Sequence, residues 1–360
     1  MKTFPLADHF VCLDERSGRI QVLNQVAASM HALASDGLSE EAITQAIARD
    51  YDADVDLVAR DVKHFLNALH STDTSMLKEI EGYQPITDFQ PLRKIQPLER
   101  CQLYLPGYTF DVASELPGLC DLLAAMFTLP PVSDEPVCSI PLDIFSDQDR
   151  YPVVSDGKTL DTGLTLADTA IKCLREINGL VARSREWTII FHASAVARGD
   201  AAVLMPALGG SGKTTLAAYL MHQGFAYLND DAVPLLAHSS ELLPVPVSLS
   251  IKEGSWSALR EYFPKLASLR QFGSKDRRMK YLPPEDTQVQ RKSVPCRLLI
   301  IPEYSELHQE TSVKRLSEVD VFTKIIRSGC IIEQPVQPAV LEALVRWLDG
   351  MPCYQLTYSS

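Results

Sequence analysis

No stretch of the chain approaches the roughly 18 uninterrupted apolar residues of a membrane span. The opening residues, MKTFPLADHF, carry one Lys and no apolar core, so they do not read as a signal peptide. There is no Cys-x-x-Cys pair: Cys12, Cys101, Cys120, Cys138, Cys173, Cys296, Cys330 and Cys353 stand scattered. That spacing argues against a zinc site or a disulfide framework and fits reduced, packed thiols in a cytoplasmic protein. Internal repeats and low-complexity tracts are lacking too. With 46% hydrophobic and 22% charged residues, the composition excludes a disordered, collagen-like or coiled-coil chain. The 360 residues are enough for two or three globular domains.

Positive charge is scarce at the start of the chain. Residues 1–90 hold 7 Lys+Arg against 15 Asp+Glu, a balance of −8 within a total of −12. Such a domain repels nucleic acid. Residues 270–292 run the other way, with Arg270, Lys275, Arg277, Arg278, Lys280, Arg291 and Lys292 against three acids. A local basic segment in an acidic chain points to a small anion, or to a solvated loop.

Residues 10–13 and 19–23 are short β-type runs around a turn-rich connector and predict a hairpin. Asn24, Ser39 and Asp54 are each placed to cap a helix with apolar residues at helical spacing behind it. The pattern predicts a winged-helix-like domain over 1–75, then a Ser-, Thr-, Glu- and Pro-rich linker over 76–98. Residues 99–186 predict strands near 101–105, 108–112, 137–145 and 151–154, with helices near 117–128 and 165–183.

The most informative part begins at 187. Trp187–Phe191 reads as a buried strand, and 193–197 with 201–205 as a hairpin around Arg198-Gly199-Asp200. The second hairpin strand runs into Gly209-Gly210-Ser211-Gly212-Lys213-Thr214-Thr215, and a helix follows. A glycine-rich turn between a strand and a helix is the context of a phosphate-binding loop. Glycines let backbone N–H groups surround phosphate oxygens, and the helix N-terminus adds partial positive charge. Lys213 can reach the β- and γ-phosphates, and the Thr214 hydroxyl can ligate Mg²⁺. Ala207 stands where the full phosphate-loop pattern has its first Gly. Asp230 and Asp231 follow after room for one helix and one strand, which returns them to the mouth of the loop. A carboxylate there can hold Mg²⁺ or act as base toward a hydroxyl. His192 closes the preceding strand and can orient an Asp or a phosphate.

His192-Ala-Ser-Ala-Val, GGSGKTTL and Asn229-Asp230-Asp231-Ala232-Val233 together resemble the HPr kinase/phosphorylase superfamily, closest to its HPr-kinase-related branch. The resemblance implies an α/β fold in which a P-loop domain with a mixed sheet occupies 187–350, its N-terminal part lying at 99–186. It implies Lys213 and Thr214 on phosphate and Mg²⁺, an Asp of the 230–231 pair as base, Asp231 as a further metal oxygen, and His192 as an orienting group. Lys252, in a lysine-bearing segment similar to one in those kinases, becomes a phosphate contact together with Arg278 and Lys280. Oligomers are frequent among such kinases, so a homo-oligomer is implied. The region that gives true HPr kinases a further acidic metal ligand has no counterpart, so neither HPr as substrate nor phosphorylase activity is expected.

Residues 10–70 resemble the PqqD family, small peptide-binding domains also known as RiPP recognition elements. The resemblance rests on the hairpin, Ile20-x-Val22-Leu23-Asn24, Asp36-Gly37 and three helices. It implies that a leader peptide adds as a strand at the sheet edge and packs on the last helix. The combined expectation is a cytoplasmic ATP- and Mg²⁺-dependent kinase. Its substrate is a hydroxyl of a ribosomally made precursor peptide, and nucleic acid and membrane are not partners. A nucleotide-switched peptide chaperone, a kinase for another protein or small molecule, and a nucleotidyltransferase use the same residues.

Overall fold

The strands and helices follow local signals wherever a side chain can reach a neighbouring backbone group. In the computed structural model the described residues are 2–15, 17–70, 89–91, 93–105, 108–127, 138–183, 187–274, 277–305, 310–333 and 335–359. Two units separate: residues 1–80 with 316–351, and 81–315 with 352–360.

The first unit carries a three-stranded antiparallel sheet, Lys2–Leu6, His9–Asp14 and Arg19–Asn24, in that spatial order. Helices Gln25–Ser35, Glu40–Asp50 and Val55–His70 follow. Each begins where a short polar side chain accepts a backbone N–H. Asn24 accepts from Ala27 at 2.8 Å, Ser39 from Ala42 at 3.3 Å and Asp54 from Leu57 at 2.9 Å. Met30, Ile43, Ile47, Val58 and Val62 form the helical core. The predicted hairpin and three helices are present. The strand Lys2–Leu6 is an addition, and so is its neighbour. Helix Pro338–Leu348 packs on that strand and buries Leu341, Leu344, Val345 and Leu348. Its amphipathic pattern is plain in the sequence, but its partner lies more than 300 residues away.

The second unit holds two larger sheets. In the five-stranded one, Glu99–Leu105, Tyr108–Ser114, Cys138–Ile144, Tyr151–Ser155 and Lys158–Gly163 lie in chain order. Helices Leu119–Met126 and Leu166–Arg183 add to a core around Leu103, Phe110, Leu123, Leu142 and Ile177. Glu99 caps the first of these helices by accepting the Gly118 N–H at 2.6 Å and the Cys120 N–H at 3.1 Å.

Of the sequence-predicted linker, 89–91 and 93–98 are described, and they are anchored rather than free. Phe89 packs on Phe145, and the Arg93 guanidinium lies over the Phe145 ring at 5.4 Å. Glu115 accepts both Arg93 Nη groups, the Gln96 N–H at 2.9 Å and the Ser146 N–H at 2.8 Å. The Arg93 hydrogen bonds hold the Glu115 carboxyl down at about 2, against its ordinary 4.5. A depressed carboxyl stabilises the fold fully above its unfolded pKa and loses that contribution as pH falls toward 2. We therefore expect Glu115→Gln to cost about 1–3 kcal/mol at pH 7 and to flatten the acid limb of thermal stability below about pH 4.5. Unchanged melting curves across pH 2.5–7 would contradict this.

The nine-stranded sheet builds the site. Ala226–Asp230, Ala193–Arg198, Ala201–Pro206 and Val294–Tyr304 are consecutive neighbours. Cys353–Tyr358 pairs in parallel with Val294–Tyr304, and Ser312–Arg315 runs antiparallel beyond it. Ala193–Arg198 is antiparallel to both of its neighbours, so Ala226–Asp230 and Ala201–Pro206 share one direction. Val294–Tyr304 and Cys353–Tyr358 share it too. Four carboxyl ends therefore meet at one edge of the sheet, beside the start of Ala193–Arg198. In open α/β sheets this edge is where ligands bind.

Candidate functional site

Strand Ala201–Pro206 ends at that edge and the glycine loop follows it. Gly210 (φ +92°) and Gly212 (φ +91°) occupy left-handed backbone that a side chain disfavours, and helix Lys213–His222 starts on Gly212. Ala217, Ala218 and Met221 seat the helix on Leu249, Ile251, Leu259 and Phe263. Gly224 (φ +87°) ends it, and the Phe225 N–H returns to the Leu220 carbonyl at 3.1 Å.

Register brings the polar groups together. Ser194 lies opposite Met205 on one side and Asp230 on the other. Its buried hydroxyl donates to Asp230 Oδ1. Thr214 Oγ1 donates to both Asp230 oxygens at 3.0 and 3.1 Å. Asp230 is therefore fully inside, 4% exposed, with two hydroxyl donors. Burial raises its carboxyl above the ordinary range, against the pull of those hydrogen bonds.

Asp231 is placed differently. Its φ of +88° is strained for a residue with a side chain, and its N–H is tied to the Ala193 carbonyl at 2.9 Å. The turned backbone directs the carboxylate outward, with 61% of the side chain exposed, to His192 Nδ1 at 3.1 Å. Desolvation in the cleft opposes its charge. The His192 hydrogen bond and the positive charges of Lys213 and Lys252 outweigh that and lower its pKa.

Lys213 Nζ stands 2.9 Å from His192 Nε2. An ammonium has only donors, so Nε2 accepts and the Nδ1 proton faces Asp231. Lys213 is 7% exposed, and burial lowers its pKa while Asp230 and Asp231 raise it. Asp231, His192 and Lys213 thus form one hydrogen-bonded row beside the buried Asp230 pocket.

The sequence pairs Thr214 with Asp231 as metal oxygens, whereas the Thr214 hydroxyl meets Asp230. Lys252 acts electrostatically on Lys213 and Asp231 from the neighbouring segment. The turn after it is pinned to the helix by Ser255 Oγ and Thr215 Oγ1 at 2.7 Å. Arg278 and Lys280 have other partners. Arg278 pairs with Glu253 at 2.6 Å. Lys280 donates to the Leu266 and Ala267 carbonyls and lies 4.9 Å from the Trp256 ring centroid. Lys275 lies outside the described residues. Sequence reasoning misses Ser194, whose only signal is the polar position within His192-Ala-Ser-Ala-Val.

The donor set is hard oxygen: Thr214 Oγ1, Asp230 and, at the rim, Asp231. It fits Mg²⁺, which takes one or two protein oxygens and fills its other positions with phosphate and water. Among the described residues no group of three or more His, Cys, Asp or Glu could hold a metal by themselves.

In the first unit, among the described residues, Arg19–Asn24 pairs with His9–Asp14 on one side only, and Lys2–Leu6, at the opposite edge, is packed by helix Pro338–Leu348. Helix Gln25–Ser35 packs on Arg19–Asn24, and the long amphipathic helix Val55–His70 packs on the other two helices. Residues 9–73 match the family model for coenzyme PQQ synthesis protein D (PqqD). The match bears out the PqqD resemblance and supports an N-terminal peptide-recognition element of the kind used in making ribosomal peptides. No curated protein matches the chain. The PqqD match ends at residue 73, so the kinase resemblance rests on the residues around the glycine loop. No helix among the described residues is long and apolar enough to cross a membrane.

Proposed function

We propose that the chain is an ATP-dependent kinase that phosphorylates a hydroxyl of a peptide held by its PqqD-like domain. The observation that carries this reading is the buried Asp230. Hydroxyls from the glycine-loop helix and the adjacent strand hold it at the loop mouth, with Lys213 and the outward Asp231 beside it.

In this reading the loop N–H groups and Lys213 hold the β- and γ-phosphates. Thr214 and Asp230 are the oxygens that would hold Mg²⁺. When bound, Mg²⁺ would neutralise charge on the phosphoryl oxygens. Asp231 is ionised at neutral pH and faces solvent, so it can accept a hydrogen bond from the acceptor hydroxyl and aim it. The hydroxyl oxygen bonds to the γ-phosphorus and the bond to the β–γ bridging oxygen breaks. The hydroxyl proton passes late to Asp231, and ADP leaves. His192 fixes the Asp231 carboxylate through Nδ1 and the Lys213 ammonium through Nε2. A low Asp231 pKa suits orientation rather than strong basicity, as a loose transition state requires.

Lys213→Met tests the nucleotide half. It keeps the stem and removes a charge-assisted contact worth roughly 1.5–3 kcal/mol. ATP affinity is expected to fall about 10- to 100-fold in a protein that still folds. Mass spectrometry of peptides incubated with ATP tests the chemistry. A gain of one phosphate supports a kinase; a nucleotidyl adduct, or free phosphate alone, refutes it.

A further inference from the structure

Two consecutive carbonyls of the glycine loop are held from outside by tyrosines. The Ser211 carbonyl accepts the Tyr304 backbone N–H at 3.1 Å. The Gly212 carbonyl accepts the Tyr358 phenol at 3.0 Å, and also the first helical bond from the Leu216 N–H at 2.9 Å. Tyr304 and Tyr358 are register partners at the ends of parallel strands, with rings 5.8 Å apart in an edge-to-face arrangement. The Ser305 N–H donates to the Tyr358 carbonyl at 3.0 Å and fixes the second tyrosine's backbone. Burial, then the neighbouring Tyr304, pushes the Tyr358 phenol up to about 12, so it stays a donor.

A trans peptide points its C=O and the following N–H in opposite directions. Holding the Ser211 and Gly212 carbonyls outward therefore turns the Gly212 and Lys213 N–H groups into the loop. The contact is also tight. A Cβ on Gly212 would lie 2.1 Å from Tyr358 Oη and 3.2 Å from Tyr304 Cβ. A Cβ on Gly210, at nearly the same φ, would meet nothing within 4 Å.

We propose that Tyr358 is a positioning residue of the nucleotide site: its phenol fixes the Gly212 peptide plane and so aims the Lys213 N–H at a phosphate oxygen of the bound nucleotide. This rests on the nucleotide reading above. Nothing in the glycine-loop motif contains Tyr358, which stands 146 residues after Gly212.

Tyr358→Phe in the full chain removes only the hydroxyl. With ATP and Mg²⁺ as the probe, its Kd is expected to be about 3- to 10-fold weaker, the loss of one neutral hydrogen bond. KM for ATP should rise by the same factor while kcat at saturating ATP stays within about twofold. The ¹⁵N–¹H signal of Lys213 should shift in the nucleotide-free protein. If Tyr358→Phe proves poorly folded, Gly212→Ala and Gly210→Ala decide. Both carry the left-handed φ penalty, but only the first meets Tyr358, so it should weaken ATP binding at least about threefold more. Tyr358→Phe with wild-type affinity and an unmoved Lys213 amide would overturn the positioning role alone. A wild-type chain that binds no ATP would overturn the nucleotide reading and this role with it.

Discussion

Asp231→Asn is expected to reduce phosphoryl transfer about 10²- to 10⁴-fold, the usual range for a positioned acid or base, while ATP still binds. The amide keeps the size of the carboxylate and loses its charge. It cannot take the acceptor's proton, and it holds the His192 Nδ1 proton more weakly. Asp230→Asn should behave differently. Its carboxylate accepts from Ser194 and Thr214 and is the proposed Mg²⁺ oxygen, so its loss should weaken ATP·Mg²⁺ binding first. An amide there also has an N–H₂ to satisfy, in a site lined by two donors. The experiment is a pair of ATP titrations and single-turnover assays on the two variants. If Asp231→Asn turns over normally and Asp230→Asn alone is dead while binding ATP well, the roles are reversed. Full activity in both would refute the mechanism.

The second large effect is expected at the Arg19–Asn24 edge of the PqqD-like domain. A peptide that adds to Arg19–Asn24 uses outward N–H and C=O groups, which alternate with those paired to His9–Asp14. A proline scan over Gln21, Val22 and Leu23 separates the two sets. At one parity the proline deletes an inward N–H and lowers the melting temperature. At the other it deletes only an outward N–H, so stability holds and peptide binding falls. Capture by this edge raises the acceptor's local concentration toward the millimolar range. Losing it should slow phosphorylation of micromolar peptide about 10²-fold or more, with recovery at high peptide concentration. A scan in which no parity uncouples binding from stability would remove the edge from the mechanism.

Much of this is legible in the sequence because the signals are local. Asn24, Ser39 and Asp54 announce helix starts through contacts three residues away. The glycine loop announces itself because backbone geometry there demands glycine. Asp230 and Asp231 follow at one helix and one strand. What the sequence does not carry is which distant residue completes a local feature. Ser194 resembles any small residue in a buried strand until register sets it against Asp230. The different placement of the two acids depends on the Asp231 backbone turning to positive φ, which Asn-Asp-Asp permits but does not specify. Strand Val294–Tyr304 has two prolines that blur its pattern, although it carries the centre of the sheet. The end of the expected linker is anchored by Glu115, a partner chosen by tertiary structure alone.

The segment 316–351 leaves the second unit after Ser312–Arg315 and returns through Cys353–Tyr358, a pair of adjacent strands, yet it completes the first unit. Synthesis on the ribosome therefore has a fixed order of events. Strand Lys2–Leu6 emerges more than 300 residues before helix Pro338–Leu348, which covers it. At roughly 5–20 residues per second that strand waits tens of seconds for its cover, and the first unit is finished only after residues 81–315 of the second have been made. A chain that stops before residue 338 lacks the helix that covers Lys2–Leu6 and leaves the first unit incomplete.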